Sequence, residues 1–198
     1  MLSLLSNNSA IFYPLFMPIE IEKKYRLTKK QRDLVVQRLS ELGAKPQGEA
    51  FEENTLFAGE ALELGRCVLR LRRVGKKALL TYKERFPSTD SIKRQREDET
   101  TVGDADAMEA ILDALGLAPR LVYEKRRSTW TLGDAEIVVD ELPFGLFMEI
   151  EGSDTSIKSV ENKLAIKGLR SEMETYPQLT QRYGKHSGFV IAARFRKE

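Results

Sequence analysis

Glu20, Glu22 and Lys24 stand two residues apart in the stretch EIEKK, and side chains two apart on a strand share one face. The same spacing recurs along the chain. Arg70 and Arg72 oppose Leu69 and Leu71, and Lys83 with Thr81 opposes Leu80 and Tyr82. Lys125, Arg127 and Thr129 share a face, Asp140 pairs with Val138 against Ile137 and Val139, and Glu149 with Glu151 opposes Met148 and Ile150. In the segment KRQREDE, Arg94 and Arg96 take one face and Glu97 and Glu99 the other, unless a bulge intervenes. One charged strand face is ordinary solvated surface. Arginine and glutamate recurring on nearly every strand predict something narrower: a sheet that curls around this face and gathers its charges on one cavity. Arginine and lysine bind phosphate oxygens, arginine often through two parallel hydrogen bonds. Carboxylates hold Mg²⁺ or Mn²⁺, hard cations that prefer oxygen. Both signs together point to a metal-bound, highly charged phosphate ligand.

The elements that must position these groups follow from the pattern. Alternation predicts strands over residues 19–27, 51–57, 67–74, 78–85, 91–100, 121–130, 135–142 and 146–152. Helical spacing predicts helices over 29–43, 104–116 and 156–168, the first capped by Thr28 and closed by Gly43. With no sustained strand–helix alternation, the expected class is α+β: one mostly antiparallel sheet with helices on its outside. Residues 1–16 read as an extension ahead of a natural start at Met17, residues 17–185 as the domain, and 186–198 as a tail.

Composition narrows the function. Of 198 residues, 31% are charged, yet the net charge is only +2, so no nucleic-acid partner is expected. Cys67 is the single cysteine, which rules out an internal disulfide and fits a reducing, cytoplasmic setting. No segment has the length and polarity of a membrane span. Neither GxxxxGK[ST] nor GxGxxG occurs, and the one histidine, His186, has no nucleophile motif beside it.

EIEKK fits the ExExK signature of the CYTH superfamily, and the resemblance continues in order through VLRLRR (68–73), LLTYKE (79–84), KRQREDE (93–99), YEKRR (123–127), VVDEL (138–142) and FMEIEG (147–152). It covers roughly residues 18–185. The superfamily includes class IV adenylyl cyclases, thiamine triphosphatases and inorganic triphosphatases. The resemblance implies a closed eight-stranded antiparallel barrel, the triphosphate tunnel, with helices packed outside. It implies phosphate contacts from Lys24, Arg70, Arg72, Lys83, Lys125 and Arg127, joined by Arg94 or Arg96. It implies Mg²⁺ or Mn²⁺ at Glu20, Glu22, Asp140, Glu149 and Glu151, and catalytic work at Glu20, Glu22, Lys24, Lys83 and Asp140. Near the C-terminus Tyr176 and Leu179 fit a Ser/Arg-Tyr-x-x-Leu-Leu element, while Thr180 departs from it. The expected activity is hydrolysis of a small-molecule triphosphate. The alternatives are a cyclase making cyclic AMP and pyrophosphate from ATP, and a non-catalytic binder of polyphosphate or RNA ends. The four glutamates Glu20, Glu22, Glu149 and Glu151 argue against the last, because they repel an anion unless a cation intervenes. The oligomeric state stays open between monomer and homodimer.

Overall fold

The computed structural model describes residues 19–63, 65–87 and 91–196. The expected extension over 1–16 and the start at Met17 lie outside them. Eight strands carry the fold: β1 (Ile19–Leu27), β2 (Lys45–Ala58), β3 (Cys67–Val74), β4 (Lys77–Arg85), β5 (Ile92–Val102), β6 (Ala118–Leu132), β7 (Ala135–Leu142) and β8 (Gly145–Glu151). They pair in the order β6-β2-β3-β4-β5-β1-β8-β7, and β7 pairs back onto β6, closing the barrel. Every one of these pairings is antiparallel. Closure leaves no edge in the barrel itself.

The alternation seen in the sequence decides which way each strand faces. The apolar face points outward and is covered by helices. α1 (Lys29–Glu41) and α3 (Asp154–Leu164) lie over β1, β7 and β8, where Val35, Leu39, Ile157 and Leu164 pack on Tyr25, Ile137, Met148 and Ile150. α2 (Ala105–Ala114) covers β3 with Leu112 against Leu69 and Leu71. The helix starts are fixed locally: Thr28 and Gln31 form a capping box, Asp104 accepts from two first-turn amides, and Ser153 caps α3.

A fourth helix, α4 (Tyr176–Tyr183), begins with its own capping box of Thr175 and Gln178. It plugs one end of the barrel. Leu179 and Tyr176 pack there with Leu56, Tyr123, Leu142 and Phe147, and Phe147 meets the Tyr176 ring edge-on at 5.4 Å. Thr180, at the position that departs from the leucine pattern, is fully buried too.

The helix α4 is not expected from the sequence, and the sheet is longer than the sequence reading in two places. β2 starts at Lys45 rather than 51, because its polar first residues pair along β6 through an irregularity between Pro46 and Gly48, where Gly48 takes φ +122°. Residues read as a tail also join the sheet: β10 (Lys185–Ser187) pairs with β11 (Val190–Ala193), and β11 runs parallel to β6. A two-residue strand, β9 (Arg170–Ser171), pairs with β1. No helix among the described residues is long and apolar enough to cross a membrane.

Truncating the plug tests its energetic share. Leu179→Ala should lower the unfolding free energy by about 2–5 kcal/mol, the range for emptying a fully buried leucine site. Urea denaturation followed by circular dichroism measures it.

Candidate active site

With the apolar faces turned outward, the charged faces line a cavity of 390 Å³ inside the barrel. Glu20, Glu22, Lys24, Arg70, Arg72, Lys83, Lys125, Arg127, Glu149 and Glu151 all line it, each carried there by the two-residue period of its strand.

The cavity has a basic wall. Arg127 grips Asp140 with two parallel hydrogen bonds of 2.7 and 2.6 Å and reaches Glu149 at 2.7 Å. Lys125 stands 3.3 Å from Glu52 and 3.5 Å from Asp140. Arg72 lies 3.4 Å from Glu52, and Arg70 donates to Thr81 at 3.2 Å. Lys24 sits 3.8 Å over the Tyr176 ring and 3.3 Å from Glu149. The crowding shows in the proton affinities. Burial, then Arg127, pushes Lys125 down to about 8. Burial would raise Glu52, but Lys125 and the neighbouring arginines pull it to about 2. Glu149 is likewise held well below the carboxylate range, where Lys24 and Arg127 outweigh burial. Among the described residues, the buried Nε atoms of Arg70 and Arg72 and the Nζ of Lys93 make no hydrogen bond.

The opposite wall is acidic. Lys83 bridges Glu20 at 2.7 Å and Glu97 at 2.5 Å. Burial, then a hydrogen bond in which Glu20 is the donor to Glu97, raises Glu20, while Glu97 itself is lowered, because that bond and Lys83 outweigh its burial. Glu22 is raised by burial and by Glu149. Glu151, which pairs in register with Glu136, is pushed up to about 7 by burial and by Glu20 and Glu136.

Residues 18–179 match the CYTH domain. The chain belongs to the CYTH family. Solved structures share the fold. A Pyrococcus horikoshii protein aligns at 24% identity with a TM-score of 0.68, over 79% of this chain and 96% of that one. A Vibrio parahaemolyticus protein described as an adenylate cyclase aligns at 20% identity and TM-score 0.66, over 82% and 98%. A Hippeastrum protein, described as an adenylyl cyclase with a dominant triphosphatase activity, aligns at 16% identity and TM-score 0.67, over 82% and 95%. At these identities the likeness speaks for the fold. No curated protein matches the chain in sequence.

The CYTH tunnel corrects the sequence reading at three positions. Arg94 and Arg96, expected on phosphate, face outward. The β1–β5 ladder runs without a bulge, so Glu20 pairs with Gln95 and Glu22 with Lys93, which leaves Arg94 and Arg96 beside Ile21 and Ile19. Arg94 donates a hydrogen bond to Asp154 at the start of α3 at 2.7 Å, and Arg96 forms an ion pair with Asp98 at 2.7 Å. Asp140, expected on metal, lies inside the barrel but behind the cavity wall. Arg127, Lys125 and the Tyr176 hydroxyl, which donates at 2.8 Å, occupy its two oxygens. It positions the basic wall.

Residues the pattern left aside also reach the cavity. Glu97 and Glu99 line it, as do Arg85, Gln95, Glu136 and Tyr176. Arg85 lies two residues past Lys83, so parity alone could have found it. Gln95 and Lys93 share the parity of Glu97 and Glu99.

The acidic wall suits a hard cation by the chemistry of its donors: Glu20, Glu22 and Glu151 are carboxylates whose proton affinities are raised first by burial and then by neighbouring carboxylates, Glu97 for Glu20, Glu149 for Glu22, and Glu20 and Glu136 for Glu151. Among the described residues no three acidic, histidine or cysteine side chains converge into a ready cage. A Mg²⁺ or Mn²⁺ here would be held by one or two carboxylates, with water and phosphate oxygens completing its shell.

Two predictions test this electrostatic design. Asp140→Asn leaves Arg127 and Lys125 buried without their shared counter-charge, and should cost about 3–5 kcal/mol of stability by chemical denaturation. Glu151 gives a pH signature. The folded protein favours its neutral form, so the stabilisation is fully present below the ordinary glutamate range and is lost as pH rises through about 7. Glu151→Gln should flatten that loss in unfolding curves measured across this window; an unchanged slope would remove Glu151 as its source.

Proposed function

We propose that this CYTH protein is a Mg²⁺- or Mn²⁺-dependent hydrolase of a small-molecule triphosphate. One observation carries the reading. The same cavity holds buried arginine donors with no hydrogen-bond partner and carboxylates whose proton affinity is raised by burial and by neighbouring carboxylates. A phosphate chain satisfies the first and a divalent cation the second, whereas neither alone suits both walls.

Lys24, Arg70, Arg72, Lys83, Lys125 and Arg127 hold the phosphate oxygens from the sides and fix the chain along the tunnel. Asp140 orients Arg127 and Lys125 against the pull of the ligand. One or two of Glu20, Glu22 and Glu151 would hold the metal, which would supply neutralisation of charge on the phosphate oxygens. Glu97, beside Lys83 in the cavity lining, offers a carboxylate that takes up the proton released by an attacking water.

The test is a product assay with tripolyphosphate, thiamine triphosphate and ATP offered separately with Mg²⁺ or Mn²⁺. Released phosphate without cyclic AMP is the expected result. Cyclic AMP with pyrophosphate from ATP would replace the hydrolase with a cyclase, and binding without any product would leave a non-catalytic module. Glu22→Gln should lower kcat/KM by about 100-fold or more, as loss of a group that acts on transition-state charge does.

A further inference from the structure

We infer that Arg85, on the plug side of Lys83, is a further ligand-binding residue of the tunnel, whose guanidinium takes oxygens of the phosphate chain. The inference rests on the phosphate-binding reading above and adds a contact that the six cations named there do not supply.

Those six cations each have a carboxylate within 4 Å: Lys24, Arg70, Arg72, Lys83, Lys125 and Arg127. Arg85 departs from this rule. The two-residue period of β4 turns it inward with Thr81 and Lys83, and it lines the cavity. Its backbone amide donates to the Arg66 carbonyl at 3.0 Å, which fixes the end of the strand. Among the described residues its guanidinium makes no hydrogen bond and no ion pair.

The surroundings explain why. Lys83 pairs in register with Val68, and Arg85 lies two residues further along β4. Towards that end the cavity is lined by Leu56, Val68, Tyr123 and Tyr176, which belong to the apolar cluster under the plug or pack against it. None of the four carries a carboxylate, and the Tyr176 hydroxyl is already given to Asp140. Glu22 acts on Arg85 only from beyond ion-pairing distance, and it has Lys93 at 3.7 Å. Burial accordingly lowers the proton affinity of Arg85, with Glu22 and Tyr123 opposing.

A guanidinium carries five donors and no acceptor, and enclosing it without a partner is unfavourable. The protein supplies no acceptor at this position. A phosphate oxygen does, and the planar fork suits two of them at once. A divalent cation would be repelled here, so the metal belongs to the acidic wall and Arg85 to the anion.

Isothermal titration calorimetry with inorganic tripolyphosphate, with and without Mg²⁺, tests the assignment alongside thermal unfolding of the unliganded protein. Arg85→Gln should weaken tripolyphosphate binding about tenfold or more, the worth of a hydrogen bond to a charged group. It should leave the unliganded unfolding midpoint at or above the wild-type value, because it removes a cation that the fold does not pair. Arg85→Lys keeps the charge and loses the fork, so its affinity should fall between the two. Wild-type affinity in Arg85→Gln would overturn the inference while leaving the triphosphate reading intact. A lowered unliganded midpoint, or failure of the variant to fold, would also overturn it, since either gives Arg85 a structural role. Failure of the wild-type protein to bind tripolyphosphate under both conditions would instead overturn the reading of the tunnel as a phosphate site.

Discussion

The carboxylate of Asp140 ties the seam of the barrel to its plug. On one side it takes two parallel hydrogen bonds from Arg127, its register partner across the β6–β7 closure. On the other it accepts the hydroxyl of Tyr176, the first residue of the plugging helix. Lys125 leans on the same oxygens. A carboxylate with no exposure to water would be intolerable alone, and a guanidinium beside it equally so. Together they form a network in which each member fixes the others' geometry. One buried charge pair thus links the closed barrel, the basic wall and the plug.

This arrangement turns the usual distribution of polarity inside out. A small barrel normally fills its interior with apolar side chains. Here the interior is charged, so the apolar core has to be built on the outside, between the strands and the helices α1, α2 and α3. That explains why the helices are needed at all. Without them, Ile137, Met148 and Ile150 would face water, and nothing would cover the hydrophobic face of the sheet. Lys23 marks where the two regimes meet. It sits on the outward face of β1, and Glu161 of α3 supplies its partner at 2.7 Å.

Alternation made the strands and most inward residues legible in the sequence, because a two-residue period states directly which side chains share a face. It failed where both faces are charged. In β5, Arg94 and Arg96 alternate with Glu97 and Glu99, and composition cannot say which set turns inward. The ladder to β1 decides it: once Glu20 and Glu22 are inside, their partners Gln95 and Lys93 are inside too, and the arginines are not. The polar start of β2 and the short strands after Lys185 have no periodic signal, since tertiary pairing rather than pattern makes them strands. Asp140 was legible as an inward acid. Its saturation by three partners was not, because no local spacing relates Tyr176 to β7.

The division of the acids follows from the same electrostatics. Glu52, Asp140 and Glu149 lie among the bases, and the proton affinities of Glu52 and Glu149 are pulled down accordingly. They neutralise the wall and set its shape. Glu20, Glu22 and Glu151 lie where carboxylates outnumber cations, and theirs are pushed up. Carboxylates of one chemical type thus divide into those whose charge the surrounding cations favour and those whose charge the surrounding carboxylates oppose. The distinction lies in which charges surround each one, not in burial, because Glu22 and Glu149 are both largely shielded from water and shift in opposite directions.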